Sequence, residues 1–194
     1  MSTAAYFRGW RKGTGLYHAD LLWAAKVGCQ YLAKIKTRNN GKPKCVVFDI
    51  DDTLVFGDPA SVVGVREMEL GEEEDGQEIF WLPPNKPIVK LAEYAKANGF
   101  MIIVLTARPK TSRTASLENL KEFKIPFDAL IMNDSDDDPC FKVNVRRRIA
   151  GKYDVCLTIG DQVTDLLCPG PNCAAIKLPD PTSLFSYAWV PPGT

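Results

Sequence analysis

Five short apolar runs alternate with amphipathic stretches from residue 45 onward, and this alternation admits few folds. The runs are Cys45–Ile50, Phe100–Leu105, Ala129–Met132, Val155–Ile159 and Ala174–Leu178. Each is too short for a helix, and most are rich in Val and Ile, as strands buried on both faces are. Helical patterns fall between them, near 86–98, 112–124, 141–151 and 162–167. Strands that alternate with helices are joined by crossovers, so the expectation is an α/β fold of three layers. A parallel sheet lies between helices on both faces. A further helix is expected over 16–37, where Leu21, Ala25, Gly28, Leu32 and Ile35 recur at helical spacing. An irregular arm precedes it, and Asn39-Asn40-Gly41-Lys42-Pro43 ends it. The 194 residues, 45% of them hydrophobic, suffice for one domain spanning the chain.

One segment breaks the alternation, an insert over 56–84 just after the first strand. Within it Val62–Leu70 and Gln77–Leu82 read as two antiparallel strands around a turn at Gly71–Gly76. Glu67, Glu69, Glu72, Glu73, Glu74, Asp75 and Glu78 make the hairpin acidic. Two readings fit: a solvated loop, or a small flap over an active site that repels polyanions. Trp81 at its foot is suited to core packing or to stacking on a substrate ring.

Ligands of open parallel sheets bind beyond the carboxyl ends of the strands, and three such ends and one helix start carry chemistry here. The first reads Val46-Val47-Phe48-Asp49-Ile50-Asp51-Asp52-Thr53-Leu54. Side chains alternate along an extended chain, so Asp49 and Asp51 point one way and Asp52 the other. Two carboxylates held together at a buried strand end need a cation or a shared proton. The second end reads Leu105-Thr106-Ala107-Arg108-Pro109. A Thr at a strand-to-helix turn offers a hydroxyl and a backbone N–H to an anion, helped by the helix N-terminus. Lys142 opens the stretch Phe141–Arg148. A lysine is unfavourable at a helix start, and a nearby carboxylate cluster would account for it. The fourth strand ends Thr158-Ile159-Gly160-Asp161-Gln162-Val163-Thr164-Asp165, where Gly160 permits a sharp turn. Asp49, Asp51, Asp161 and Asp165 form an oxygen-rich set suited to a hard cation. Room for water and phosphate oxygens favours Mg²⁺ over Ca²⁺.

Charge and composition remove other classes. Formal net charge is zero, so no overall basic field calls for nucleic acid or an anionic membrane. No stretch approaches the roughly 20 apolar residues that span a bilayer. The single histidine, His18, removes a His-based triad and a multi-His zinc site. None of the six cysteines forms a C-x-x-C pair, and the N-terminus shows no apolar export signal. Reduced thiols and a cytoplasmic location are therefore expected.

D-x-D-x-T-L at 49–54, T-A-R at 106–108, Lys142 and G-D-x-x-x-D at 160–165 together resemble the haloacid-dehalogenase-like (HAD) superfamily of phosphohydrolases. The closer similarity is to its plant and bacterial acid-phosphatase branch (class B/C, subfamily IIIB). Glu118-Asn119-Leu120, Arg146 after Lys142, and Lys177-Leu178-Pro179-Asp180-Pro181 also match there. The resemblance implies a Rossmann-like fold and a Mg²⁺-dependent phosphomonoesterase acting on a small phosphorylated metabolite or nucleotide. It implies Asp49 as nucleophile and Asp51 as general acid and base, with Thr106, Ala107 and Lys142 on the phosphoryl group. It gives the metal to Asp49, the backbone carbonyl of Asp51, Asp161, and Asp165 through water. The chain departs from those relatives, which are usually exported, and its 132–139 stretch is more acidic. Two other readings stand. One is a phosphatase for nucleic-acid 3′ ends or phosphoproteins, which the basic run Lys142, Arg146, Arg147, Arg148 and Lys152 favours. The other is a non-catalytic storage or binding relative. An oligomer is compatible with all three.

Overall fold

A computed structural model describes residues 15–56, 69–72, 78–134, 140–167, 172–179 and 188–192. Among these residues eight strands and four α-helices follow in chain order: α1 (Leu16–Ile35), β1 (Lys44–Phe48), β2 (Glu69–Glu72), β3 (Glu78–Trp81), α2 (Lys86–Ala97), β4 (Met101–Pro109), α3 (Arg113–Glu122), β5 (Ala129–Asn133), α4 (Phe141–Lys152), β6 (Asp154–Gly160), β7 (Ala174–Lys177) and β8 (Ala188–Val190). Six strands form one sheet in the order β5-β4-β1-β6-β7-β8. The first five run parallel, and β8 pairs antiparallel with β7 at the edge.

Alternate residues of the strands feed two cores. On one face Val46, Phe48, Ile102, Val104 and Ile159 pack with Leu21 and Leu32 of α1, Ile88 and Leu91 of α2, and Leu120 of α3. On the other, Cys45, Val47, Ile103, Leu105 and Val155 meet Phe141, Val145 and Ile149 of α4. Burying each large side chain stabilises by roughly 1.5–3 kcal/mol. The helix α1 lies against α2 so closely that a Cβ on Gly28 would stand 2.7 Å from Leu91 Cδ2.

The differences from the sequence reading have local causes. The stretch 162–167 is no α-helix: only Val163–Asp165 closes, as a single 3₁₀ turn. Edge strand β8 was not expected, and it makes the sheet mixed rather than wholly parallel. The hairpin exists, pairing Glu69–Glu72 with Glu78–Trp81, but Gly71 and Glu72 belong to the strand rather than the turn. Residues 57–68 and 73–77, the arm 1–14, the acidic 135–139, Asp180, Pro181 and the Trp81 side chain lie outside the described set. The insert leaves and returns side by side: the Phe56 N–H donates to Pro83 O at 2.9 Å, and the Asn85 N–H to Leu54 O at 2.9 Å. Among the described residues no helix is long and apolar enough to cross a membrane.

Candidate active site

Strand β1 extends its ladder by one bond, since the Asp49 N–H donates to Ile159 O at 3.0 Å. This fixes Asp49 at the carboxyl end of the central strand, with its side chain buried. The chain then turns on one carbonyl: Ile50 O accepts from the N–H groups of Thr53, Leu54 and Val55. Asp52 takes the left-handed φ of 51° that this turn needs, a conformation Asp tolerates better than most residues.

Lys142, in the first turn of α4, is 8% exposed. Its ammonium donates to Asp49 Oδ1 at 2.8 Å and to Asp165 Oδ1 at 2.6 Å. The carboxylate cluster anticipated beside it is there. Asp49, Asp161 and Asp165 are all buried, each with a carboxylate oxygen within 4.8 Å of the others'. Burial and the charge of Asp165 push the Asp49 carboxyl well above its usual range, although Lys142 pulls it down and Asp161 pushes it further up. Burial draws the Lys142 ammonium down, but Asp49 and Asp165 outweigh it and hold its pKa above the usual lysine range. One ammonium shared between two carboxylates cannot neutralise both. A hard divalent cation among three oxygen donors fits this set.

Gly160 carries a different duty from the turn expected of it. Its φ is not left-handed. A Cβ there would stand 2.3 Å from Cβ and Oδ2 of Asp165. Glycine is needed because the Asp165 carboxyl folds back over the strand end. That carboxyl also accepts the Gln162 N–H at 3.1 Å, and the Gln162 side chain donates to Asp161 Oδ2 at 2.7 Å.

Asp51 stands apart from the three clustered carboxylates. Arg108 holds it by two bonds, Nε to Oδ2 at 2.9 Å and Nη2 to Oδ1 at 2.6 Å, and donates a third to Ser116 Oγ at 2.9 Å. The register between β4 and β5 slips after Thr106, so that Ala107 and Arg108 have no partner on β5. The slip frees Arg108 to reach back across the site. Thr106 lies inside β4 rather than at a strand-to-helix turn, and α3 starts only at Arg113, so the helix terminus gives it no support. Its Oγ1 accepts the Arg108 N–H at 3.2 Å, which leaves the hydroxyl proton for another acceptor. Ala107 beside it is exposed.

Sequence reasoning passed over the partner of Asp51. Arg108 was visible in T-A-R, but only the β4 slip aims it. That reasoning named Arg146 and Lys177 among the matching residues without foreseeing that both cations are buried. The basic run is not one surface either: Lys142 and Arg146 are buried, and Arg147, Arg148 and Lys152 are exposed.

A family model for the HAD superfamily, subfamily IIIB (acid phosphatase), matches residues 15–184. A chain of the Pnkp1/Rnl/Hen1 complex aligns at 25% identity and a TM-score of 0.51, over 67% of this chain and 43% of that one. This chain thus spans under half of that relative. The class C acid phosphatase from Bacillus anthracis aligns at 18% identity and a TM-score of 0.62, over 84% and 69% of the two chains, which shows a shared fold. Its tungstate-bound form aligns at 18% identity and 0.61, over 81% and 68%. No curated protein matches the sequence.

Proposed function

The chain belongs to subfamily IIIB of the HAD superfamily, the acid phosphatases, and we propose that it hydrolyses small phosphomonoesters with Mg²⁺, through a covalent intermediate on Asp49. One observation carries this reading: a buried carboxylate at the end of the central strand shares a lysine with Asp165, beside Asp161.

Asp49 attacks phosphorus with a carboxylate oxygen, and the bond to the leaving oxygen breaks as the acyl phosphate forms. Asp51 gives its proton to the leaving oxygen. It then takes one from the water that attacks phosphorus, which releases phosphate and restores Asp49. To hold that proton, Asp51 gives up one of its two bonds to Arg108. The Thr106 hydroxyl and the Ala107 N–H bind the phosphoryl oxygens, and Lys142 neutralises charge on Asp49 and the transferring group. The carboxylates of Asp49, Asp161 and Asp165 and the backbone carbonyl of Asp51 would hold Mg²⁺, which when bound supplies positive charge to the phosphoryl oxygens.

Replacing Asp49 by Asn keeps the shape and removes the nucleophile. Hydrolysis of p-nitrophenyl phosphate is expected to fall at least about 10³-fold with the circular dichroism spectrum unchanged. Turnover near wild type in Asp49→Asn would overturn the assignment. A beryllofluoride adduct on Asp49 of the wild type separates an enzyme from a non-catalytic relative.

A phosphorylated nucleic-acid end is the second reading, favoured by exposed Arg147, Arg148 and Lys152. It requires 3′-phosphorylated oligonucleotides to bind with an affinity that falls steeply with salt.

A further inference from the structure

Residues 161–167 carry two of the three clustered carboxylates, and their single 3₁₀ turn is too short to hold its own shape. Buried cations grip this segment by its carbonyls from two sides. Arg146, 2% exposed, lies one helical turn beyond Lys142 on α4. Its Nε donates to Leu167 O at 3.1 Å, and its Nη2 donates to Thr164 O. Lys177 ends β7, is 9% exposed, and sits in register with Gly160. Its Nζ donates to Asp161 O at 3.0 Å and to Leu178 O at 3.1 Å.

The carbonyls of residues 161, 164 and 167 are thus each held by a charged donor. Burying an ammonium or guanidinium carries a large desolvation penalty, and a neutral donor would satisfy those carbonyls at less cost. A cation does something further: its charge-assisted bonds are stronger than neutral ones, and they fix the backbone from which Asp161 and Asp165 project. Groups that orient metal ligands from outside the ligand set commonly change metal affinity tenfold to a hundredfold.

We propose that Arg146 and Lys177 are positioning residues that preset the Asp161–Asp165 segment for a divalent cation, touching neither the cation nor the substrate. This rests on the metal-dependent reading of the site.

The test is calorimetric titration of Mg²⁺ into wild type, Arg146→Gln and Lys177→Gln, beside the metal-free melting temperature and kcat at saturating Mg²⁺. Each Gln variant is expected to bind Mg²⁺ about tenfold or more weakly, with a loss in kcat smaller than the loss in affinity. Lys177→Arg is expected to recover most of the affinity. Wild type that binds no Mg²⁺ would remove the metal-dependent reading itself. Wild type that binds, with both Gln variants within about twofold of it, would overturn the positioning role alone, whatever happens to the melting temperature. A loss in kcat at saturating Mg²⁺ that matches the loss in affinity would overturn it too. Should the Gln variants not fold, Arg146→Lys decides: it replaces a rigid fork, whose Nε and Nη2 reach Leu167 O and Thr164 O from separate nitrogens, by one compact ammonium on a flexible stem, so unchanged Mg²⁺ affinity refutes the proposal.

Discussion

The guanidinium of Arg108 holds the carboxylate of Asp51, the proposed acid and base. Two parallel bonds hold the carboxylate and fix its plane. A third bond, to the buried Ser116, fixes the guanidinium in turn. Arg108→Ala leaves Asp51 unaligned, and under the proposed mechanism the effect belongs to protonation of the leaving group. The expected loss in kcat is about 10-fold on p-nitrophenyl phosphate, whose leaving group needs little help, and about 10²-fold or more on an alkyl phosphate. A series of esters with leaving groups of rising pKa checks this: equal losses along it would contradict the alignment role. At this scale the sequence was informative wherever chemistry follows from position on a strand. Asp49 and Lys142 were legible because a carboxylate at a buried strand end and a lysine at a helix start each call for a counter-charge. Arg108, Arg146 and Lys177 were not, because a cation's partner depends on where three other elements end.

Among the elements, the junction of β6 with its 3₁₀ turn carries the tightest constraint. Asp165 occupies the space a side chain at residue 160 would fill. Gly160→Ala therefore forces the Asp165 carboxyl off Lys142 or bends the strand end. An overpacked site of this kind costs about 1–3 kcal/mol. Here Mg²⁺ affinity is expected to fall as well, by about tenfold or more. Thermal unfolding and Mg²⁺ titration of the variant check both; a protein that tolerates alanine on both counts would show that Asp165 has another place to go. The elements themselves were largely legible, since short apolar runs between amphipathic stretches leave little choice. Where reading failed, length was the cause. The 162–167 pattern is too short to nucleate an α-helix, and β8, three residues long, gives no period to detect.

For the whole molecule, the buried acidic site opposes folding when no cation is bound. The folded-state pKa of Asp49 is raised, so over the window between its usual value near 4 and the raised one the folded protein holds a proton that the unfolded chain has released. Its contribution to stability is present at low pH and is lost as pH rises through the folded value. The metal-free wild type is thus expected to lose melting temperature relative to Asp49→Asn as pH is raised from about 4 toward neutrality. Under the proposed metal dependence, saturating Mg²⁺ at about 100 times its Kd is expected to add about 2.7 kcal/mol, or about 5–10 °C, to wild type at neutral pH and less to the variant. Scanning fluorimetry across pH, with and without Mg²⁺, measures it; parallel curves for the two proteins would contradict it. The fold class was legible at this scale because the sheet is buried on both faces by helices of fixed period, whereas the sequence of the insert 56–84 shows no helical period.

The position of β1 also sets a timetable. It lies between β4 and β6, and β6 is synthesised roughly a hundred residues after it. Until then the strand that ends in Asp49 has an open apolar edge, and β6 must enter the sheet beside it from far along the chain. Such long-range parallel pairing is slow and leaves unpaired edges exposed meanwhile. The element that completes the sheet's centre also delivers Asp161 and Asp165, so a chain stalled before β6 has neither a closed sheet nor a finished acidic cluster. Completion of the acidic cluster is tied to the entry of β6 into the sheet.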